Sequence, residues 1–269
     1  MPWPRGRPAL GLRARPVARL LVLGGEIAVL VALVNSPALA ARRVYLSGNK
    51  HVTRQQVIDR AGLSRAPSML LLTTDQAQAH LRNDPYVRSI SVRTMLPDRV
   101  EVDLLEWEPL AVLSRAGGFY LLNAEGSVLG IAASGRAGAG PGVARVALSW
   151  DSPGGLRVGQ SVLRGRLMQD LDRMQSAFAP AYGLTITGFT LDSNLKLAAA
   201  TGSGPRILFG QMATDEQIDS LDSKLASLKS LRARVDLANS KLDYINLENP
   251  AAVTTRPIPS PSPAPTKKP

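Results

Sequence analysis

Four carboxylates crowd a short stretch of this chain: Glu101, Asp103, Glu106 and Glu108. Two such groups can work as a general acid and base, or hold a hard cation through their oxygens. Their spacing argues for a plainer role. Glu101 and Asp103 alternate with Val100, Val102 and Leu104, the period of a strand with one face in water. The two histidines, His51 and His80, have no sequence neighbours that suggest a ligand set. The absence of cysteine excludes a disulfide framework, thiolate metal sites and thiol catalysis. No G-x-x-x-x-G-K-[ST], G-x-S-x-G, H-E-x-x-H or G-x-G-x-x-G pattern occurs. The glycines between 135 and 142 lack the strand-to-helix setting of a phosphate loop. The residues therefore give no reason to expect an enzyme, a cofactor, a metal or a small-molecule substrate.

The charge has to be divided before it is read. The 269 residues carry a formal net charge of +11, but residues 1–43 hold +6 of it and residues 250–269 hold +3. Residues 44–249 are close to neutral, at +2. A basic face for nucleic acid is not implied.

The two ends differ from the middle in composition. Residues 1–19 contain five arginines, four prolines and no acid, which leaves nothing to pack and predicts disorder. Leu20–Val34 is apolar except for Glu26. With its flanks, over 20–41, it is long enough for a membrane-spanning helix, and the arginine excess before it favours a cytoplasmic N-terminus. Glu26 is either a partner-facing residue in the membrane or a tolerated polar group beside Gly24-Gly25. Ala38-Leu39-Ala40 behind Pro37 also has the form of a signal-peptidase site, so a soluble module released after Ala40 is an alternative. The last twenty residues hold seven prolines, and 250–269 are expected to be a disordered spacer.

Between the ends, the punctuation marks two modules. Val44-Tyr45-Leu46 reads as a strand. Thr53–Gln56 and Thr73–Gln76 fit capping boxes, each opening a helix. Tyr86–Thr94 and Arg99–Leu105 read as a hairpin, with Val87 on the face of Ser89 and Ser91, opposite Ile90 and Val92. The order β-α-α-β-β therefore occupies 42–109. In 110–249, Leu163, Leu167, Leu171, Met174 and Phe178 line one helix face. Thr214–Gln217 caps a second helix carrying Ile218, Leu221, Leu225, Leu228 and Leu231. Short strands are expected at 184–189, 195–199, 206–209 and 242–247, and a mobile glycine-rich loop at 132–143.

These segments carry a resemblance. Val44-Tyr45-Leu46-Ser47-Gly48-Asn49, Asn83-Asp84-Pro85-Tyr86-Val87 and Leu96-Pro97-Asp98-Arg99-Val100-Glu101-Val102 resemble the opening, middle and closing motifs of a POTRA domain. Placed after an apolar segment, they resemble the FtsQ/DivIB cell-division family. Glu106-Trp107-Glu108-Pro109 matches that family's E-R-x-P except that Trp107 replaces the arginine. Gly118–Gly126, Gly154–Val162, Ile207–Gly210 and Leu242–Leu247 resemble its later motifs, in order. In the last of them Asn246 and Glu248 stand where the family has an acid and an arginine.

The resemblance implies an α+β chain. It would have a basic cytoplasmic tail (1–19), a single transmembrane helix (20–41), a POTRA domain (42–109), an FtsQ-type β domain of mainly antiparallel sheet with packed helices (110–249) and the tail (250–269). It also implies a non-catalytic, single-pass inner-membrane scaffold of the divisome, extracytoplasmic in bulk and located at the septum. The implied partners are FtsB/DivIC-like and FtsL-like proteins. The implied contact site is the terminal strand, at Tyr244, Ile245, Asn246 and Leu247, by strand addition at a sheet edge. On this reading Ile245→Glu is expected to abolish partner binding and leave 44–249 folded.

Overall fold

The structure, a computed structural model, describes residues 14–138, 143–202 and 204–258. The chain divides into two compact units, with the boundary after Glu106.

The first unit begins with helix α1 (Ala14–Val34). Its apolar side chains are exposed along its length, Leu20, Leu21, Val22 and Leu30 among them. Among the described residues, no helix is long and apolar enough to cross a membrane. The helix stops short of residue 41. Ser36 caps a 3₁₀ turn at Pro37–Leu39, and Pro37 has no N–H to continue an α-helical ladder.

Beyond the turn, β1 (Arg43–Ser47), β2 (Val87–Met95) and β3 (Arg99–Glu106) form a sheet in the order β1-β3-β2. β1 is parallel to β3, and β2 and β3 are antiparallel. The helices α2 (Arg54–Arg60) and α3 (Thr74–Arg82) cover one face. Val57, Ala61, Ala77 and Leu81 meet Val44, Ile90, Val92, Val100, Val102 and Leu104 there. Burying one such Val or Leu contributes about 1.5–3 kcal/mol, so this small core stabilises the unit.

The capping box at Thr53–Gln56 is made in both directions. Thr73 caps α3 by position only, without a side-chain hydrogen bond. Val87 is buried with Ile90 and Val92 rather than facing out with Ser89, because a bulge between Val87 and Ser89 resets the alternation.

The second unit is one sheet of nine strands in the order β12-β11-β10-β9-β8-β7-β4-β5-β6. Its strands are β4 (Ala111–Arg115), β5 (Gly118–Leu122), β6 (Val128–Ile131), β7 (Val146–Trp150), β8 (Ile186–Leu191), β9 (Lys196–Thr201), β10 (Arg206–Gln211), β11 (Leu242–Asn246) and β12 (Thr254–Pro257). Helix α4 (Gly165–Tyr182) turns Leu167, Leu171, Met174 and Phe178 into the core, as their spacing predicts, with Met168 buried beside them, and Gly183 ends it in the left-handed conformation. The capping box at Thr214–Gln217 is made. The run after it is two helices, α5 (Asp215–Asp219) and α6 (Leu221–Arg232), which meet at Ser220. Ion pairs tie α4 to them: Arg164 to Asp215 at 2.9 Å and Arg173 to Asp222 at 2.7 Å.

The last strand departs from the sequence reading. β12 lies within 250–269, where the proline count predicts a disordered tail. It pairs antiparallel with β11, Ile245 opposite Thr255 and Asn246 opposite Thr254. The prolines of that segment are Pro250, which precedes the strand, and then only Pro257 onward. Val253-Thr254-Thr255 between them is a β-branched run that suits a strand. The tail beyond 258, residues 1–13 and loop residues 139–142 lie outside the described residues.

Candidate functional site

Three of the four crowded carboxylates, Glu101, Asp103 and Glu106, have separate partners. Glu101 lies 3.8 Å from Arg99, and Asp103 accepts from the Ser47 hydroxyl at 2.6 Å. Glu106 turns inward, where the backbone N–H groups of Lys50, His51 and Val52 donate to it at 2.8–3.0 Å. Its carboxylate thus pins the loop between β1 and α2. Burial pushes this carboxyl up, but the three backbone donors and His51 together hold it below the usual range. His51 stacks on Tyr86 with ring centroids 4.7 Å apart, and His80 is exposed on α3. Among the described residues, no group of three His, Asp or Glu side chains could hold a metal.

The four residues expected to bind a partner lie at one end of the large sheet. Their strand, β11, is paired on both sides. β10 runs parallel to it, with Arg206, Ile207 and Leu208 opposite Tyr244, Ile245 and Asn246, and β12 closes the other side. Ile245 and Leu247 have no exposed surface and sit in the core beneath the sheet. Tyr244 and Asn246 alternate with them and are half-buried on the opposite face. The expectation that Ile245→Glu leaves 44–249 folded is therefore corrected. A carboxylate there would enter an apolar core with no partner.

Among the described residues, the edge of the sheet on this side belongs to β12, whose four residues are all exposed. An outermost strand leaves one row of backbone N–H and C=O groups without a ladder partner. Ile258 N–H donates to Lys241 C=O at 2.9 Å, which continues the hairpin one step past Pro257. Asn249 shapes the connection, its side-chain oxygen accepting from Ala251 N–H at 3.0 Å, and Ser227 Oγ donates to Pro250 C=O at 2.8 Å.

Beside the hairpin, a shallow cavity of about 350 Å³ opens on the face that Asn246 occupies. Lys196, Arg206, Leu208 and Glu248 also line it, and Lys196 reaches Glu248 at 3.3 Å. The edge and its groove come from segments far apart in sequence. The signal for β12, the Val-Thr-Thr run, was present but submerged by the prolines around it.

Comparison with known proteins gives the fold its relatives. A family model described as "POTRA domain, FtsQ-type" matches residues 39–107. Cell division protein FtsQ of Anaeromyxobacter sp. is 26% identical over 90% of this chain and 79% of that protein. FtsQ of Bartonella bacilliformis is 34% identical over 99 residues, which cover 37% of this chain and 32% of the relative. DivIB of Bacillus cytotoxicus is 25% identical over 45% of this chain and 49% of that protein. The match thus spans about a third of the Bartonella relative's length and half of the Bacillus one's. Residues 39–107 thus form an FtsQ-type POTRA domain, and the chain as a whole is similar to FtsQ and DivIB cell-division proteins.

Proposed function

We propose that this chain is a non-catalytic, single-pass membrane scaffold of the bacterial divisome. α1 with its flanks would anchor it, N-terminus in the cytoplasm, and both units would stand outside the cytoplasm at the septum. Its partners would be FtsB/DivIC-like and FtsL-like proteins, held by addition of a partner strand at the edge of the large sheet.

The observation that carries this reading is the exposed edge strand β12 beside the groove at Asn246. An added strand would take up the unpaired backbone groups of Thr254–Arg256, and side chains flanking it would reach Tyr244 and Asn246. Ile245 and Leu247 contribute by holding β11, and through it β12, in place. The segment on the C-terminal side of α1 supports the anchor. Leu39 C=O accepts from Met69 N–H at 2.7 Å, and Ala41 N–H donates to Pro67 C=O at 2.9 Å. These bonds tie Leu39 and Ala41 to the POTRA domain, which favours a retained anchor over a cleaved segment.

Cysteine cross-linking tests the edge, and the native chain contributes no competing thiol. Single cysteines at Thr254, Thr255 and Arg256 are paired with a cysteine scan of the FtsB-like partner in membranes. Strand addition gives cross-links that advance along the partner in one register. Cross-links at other surfaces but none at β12 would remove strand addition at this edge.

A further inference from the structure

The end of the POTRA domain nearest α1 carries apolar residues that its own core does not use. Leu71 is 66% exposed and Leu96 is 66% exposed, with Leu70 and Met95 also exposed. They come from two separate turns. Ser68–Leu72 is closed by Leu71 and Leu72 N–H donating to Ser68 C=O, and the other turn joins β2 to β3. Exposed leucines at turn tips are unusual, because turns are ordinarily polar.

Both turns are fastened to the same short piece of chain. Ala41 N–H donates to Pro67 C=O, Ala40 bridges Ser68 antiparallel, and Met69 N–H donates to Leu39 C=O. The chain therefore runs from Pro67 toward Leu70 in the direction of α1. The β2–β3 turn is held by Asp98 C=O, which accepts from Arg42 and Arg43 N–H at 3.1 Å.

The connection to α1 limits how far this end can stand from a membrane. Only Asn35–Leu39 separate α1 from the pinned segment, and part of that is a 3₁₀ turn. Five extended residues span at most ~18 Å, and the 3₁₀ turn shortens this. The headgroup layer on each side of the hydrocarbon is itself about 5–8 Å thick. The two turns are thus held within reach of the surface from which α1 would emerge. Exposed Arg42 lies in the pinned segment, its N–H donating to Asp98 C=O, and exposed Arg65 lies two residues before Pro67; cations beside exposed leucines suit an anionic interface.

We propose that the Ser68–Leu72 and Leu96–Asp98 turns form a membrane-docking face. Leu70, Leu71 and Leu96 would enter the headgroup–acyl boundary, while Arg42 and Arg65 meet anionic lipid phosphates. This face would fix the orientation of the POTRA domain on the bilayer instead of letting it swing on the Asn35–Leu39 connection. The proposal rests on the membrane-anchor reading of α1.

The test uses the full chain reconstituted into vesicles of phosphatidylcholine, with and without phosphatidylglycerol. A nitrobenzoxadiazole label is placed on one cysteine at a time, at Leu71 or at Leu30 in α1. The expected result is a blue-shifted label at 71, quenched by lipids carrying a shallow nitroxide. The label at 30 is quenched by a deep nitroxide.

Leu70→Asp should lower the docked-to-free ratio read at 71 by at least about tenfold, the effect of withholding one leucine from an apolar phase. Arg42→Gln and Arg65→Gln should each lower it about fivefold, and only when phosphatidylglycerol is present. Circular dichroism confirms that these surface variants stay folded, and a label at Leu96 reports the second turn independently. Quenching at 30 without quenching at 71 or 96 overturns the docking face and leaves the anchor standing. Absence of quenching at all three positions overturns both. A blue shift at 71 that needs an added partner protein assigns the leucines to that protein and overturns docking to lipid.

Discussion

Glu106 and His51 meet twice across the POTRA domain: the carboxylate Oε2 accepts the His51 backbone N–H at 2.8 Å and lies 3.0 Å from the ring Nδ1. With the Lys50 and Val52 N–H groups on the other oxygen, one side chain at the end of β3 satisfies three consecutive N–H groups of the loop that leads into α2. A single carboxylate therefore does here what a helix cap does elsewhere, and it does so at the last residue of the unit.

Glu106→Gln should destabilise the first unit by about 3 kcal/mol, since an amide cannot accept on both oxygens and a charged acceptor is lost. The folded carboxyl sits below its ordinary value. Its stabilising contribution is then fully present above about pH 4.3, the usual glutamate value. It is lost as pH falls from there through the lower folded value, because the unfolded state binds the proton first. Urea unfolding at pH 7 and at pH 3 checks this. The wild type should lose stability between the two, and Glu106→Gln should lose less.

Gly48 and Gly126 are each required by a positive φ and a close backbone approach. At Gly48 (φ +77°) an added Cβ would lie 2.0 Å from Leu104 O, and at Gly126 (φ +78°) 2.2 Å from Leu163 O. Neither carbonyl can yield without moving its strand or helix lead. Gly48→Ala and Gly126→Ala should each cost more than about 2 kcal/mol, well above the usual penalty for leaving glycine in a left-handed conformation. Thermal unfolding of each variant reads the loss.

Ile245→Glu should leave little folded second unit, because an unpaired carboxylate would sit in a fully buried position. Tyr244→Ala, one residue away on the half-buried face, should cost about 1 kcal/mol or less. If Tyr244 helps seat the partner strand, its variant loses co-purification while the circular dichroism spectrum stays unchanged. A loss of binding that tracks a loss of fold in both variants would instead assign Tyr244 to the sheet alone.

Lys224 is the buried cation of the second unit, its Nζ donating to Phe209 C=O at 2.7 Å. Burial pushes the ammonium below its ordinary value, and Glu248 opposes this only in part. The folded state thus releases its proton before the unfolded state does. Stability contributed by this group should rise as pH climbs from the folded value toward about 10.4. Lys224→Met should abolish that alkaline rise, and its net effect at pH 7 should stay within about 2 kcal/mol, since the Phe209 carbonyl loses its donor as the buried charge is removed. Denaturant titrations from pH 7 to 10 distinguish the two chains.

The local order of the protein is legible in its residues alone. Hydroxyl-to-glutamine spacing at Thr53 and Thr214 specified two helix starts, because both partners of a capping box lie within one turn. The leucine and methionine stripe of α4 named its buried face, because helical period is a local property. The alternation in Arg99–Leu105 and the short motifs around Gly48 and Pro97 were enough to recognise the POTRA domain that the family model matches over 39–107.

The long-range pairings emerge only when distant segments meet. The bulge in β2 that turns Val87 inward is set by β3, not by β2. Glu106 reads as one acid among four until the loop 55 residues earlier folds over it. β12 is the plainest case. Its β-branched residues are too few to form a strand alone, and they become one because β11 offers a ladder. That pairing moved the open edge of the sheet from Tyr244–Leu247 to Thr254–Pro257. A strand's edge is a relation between segments, and composition cannot report it.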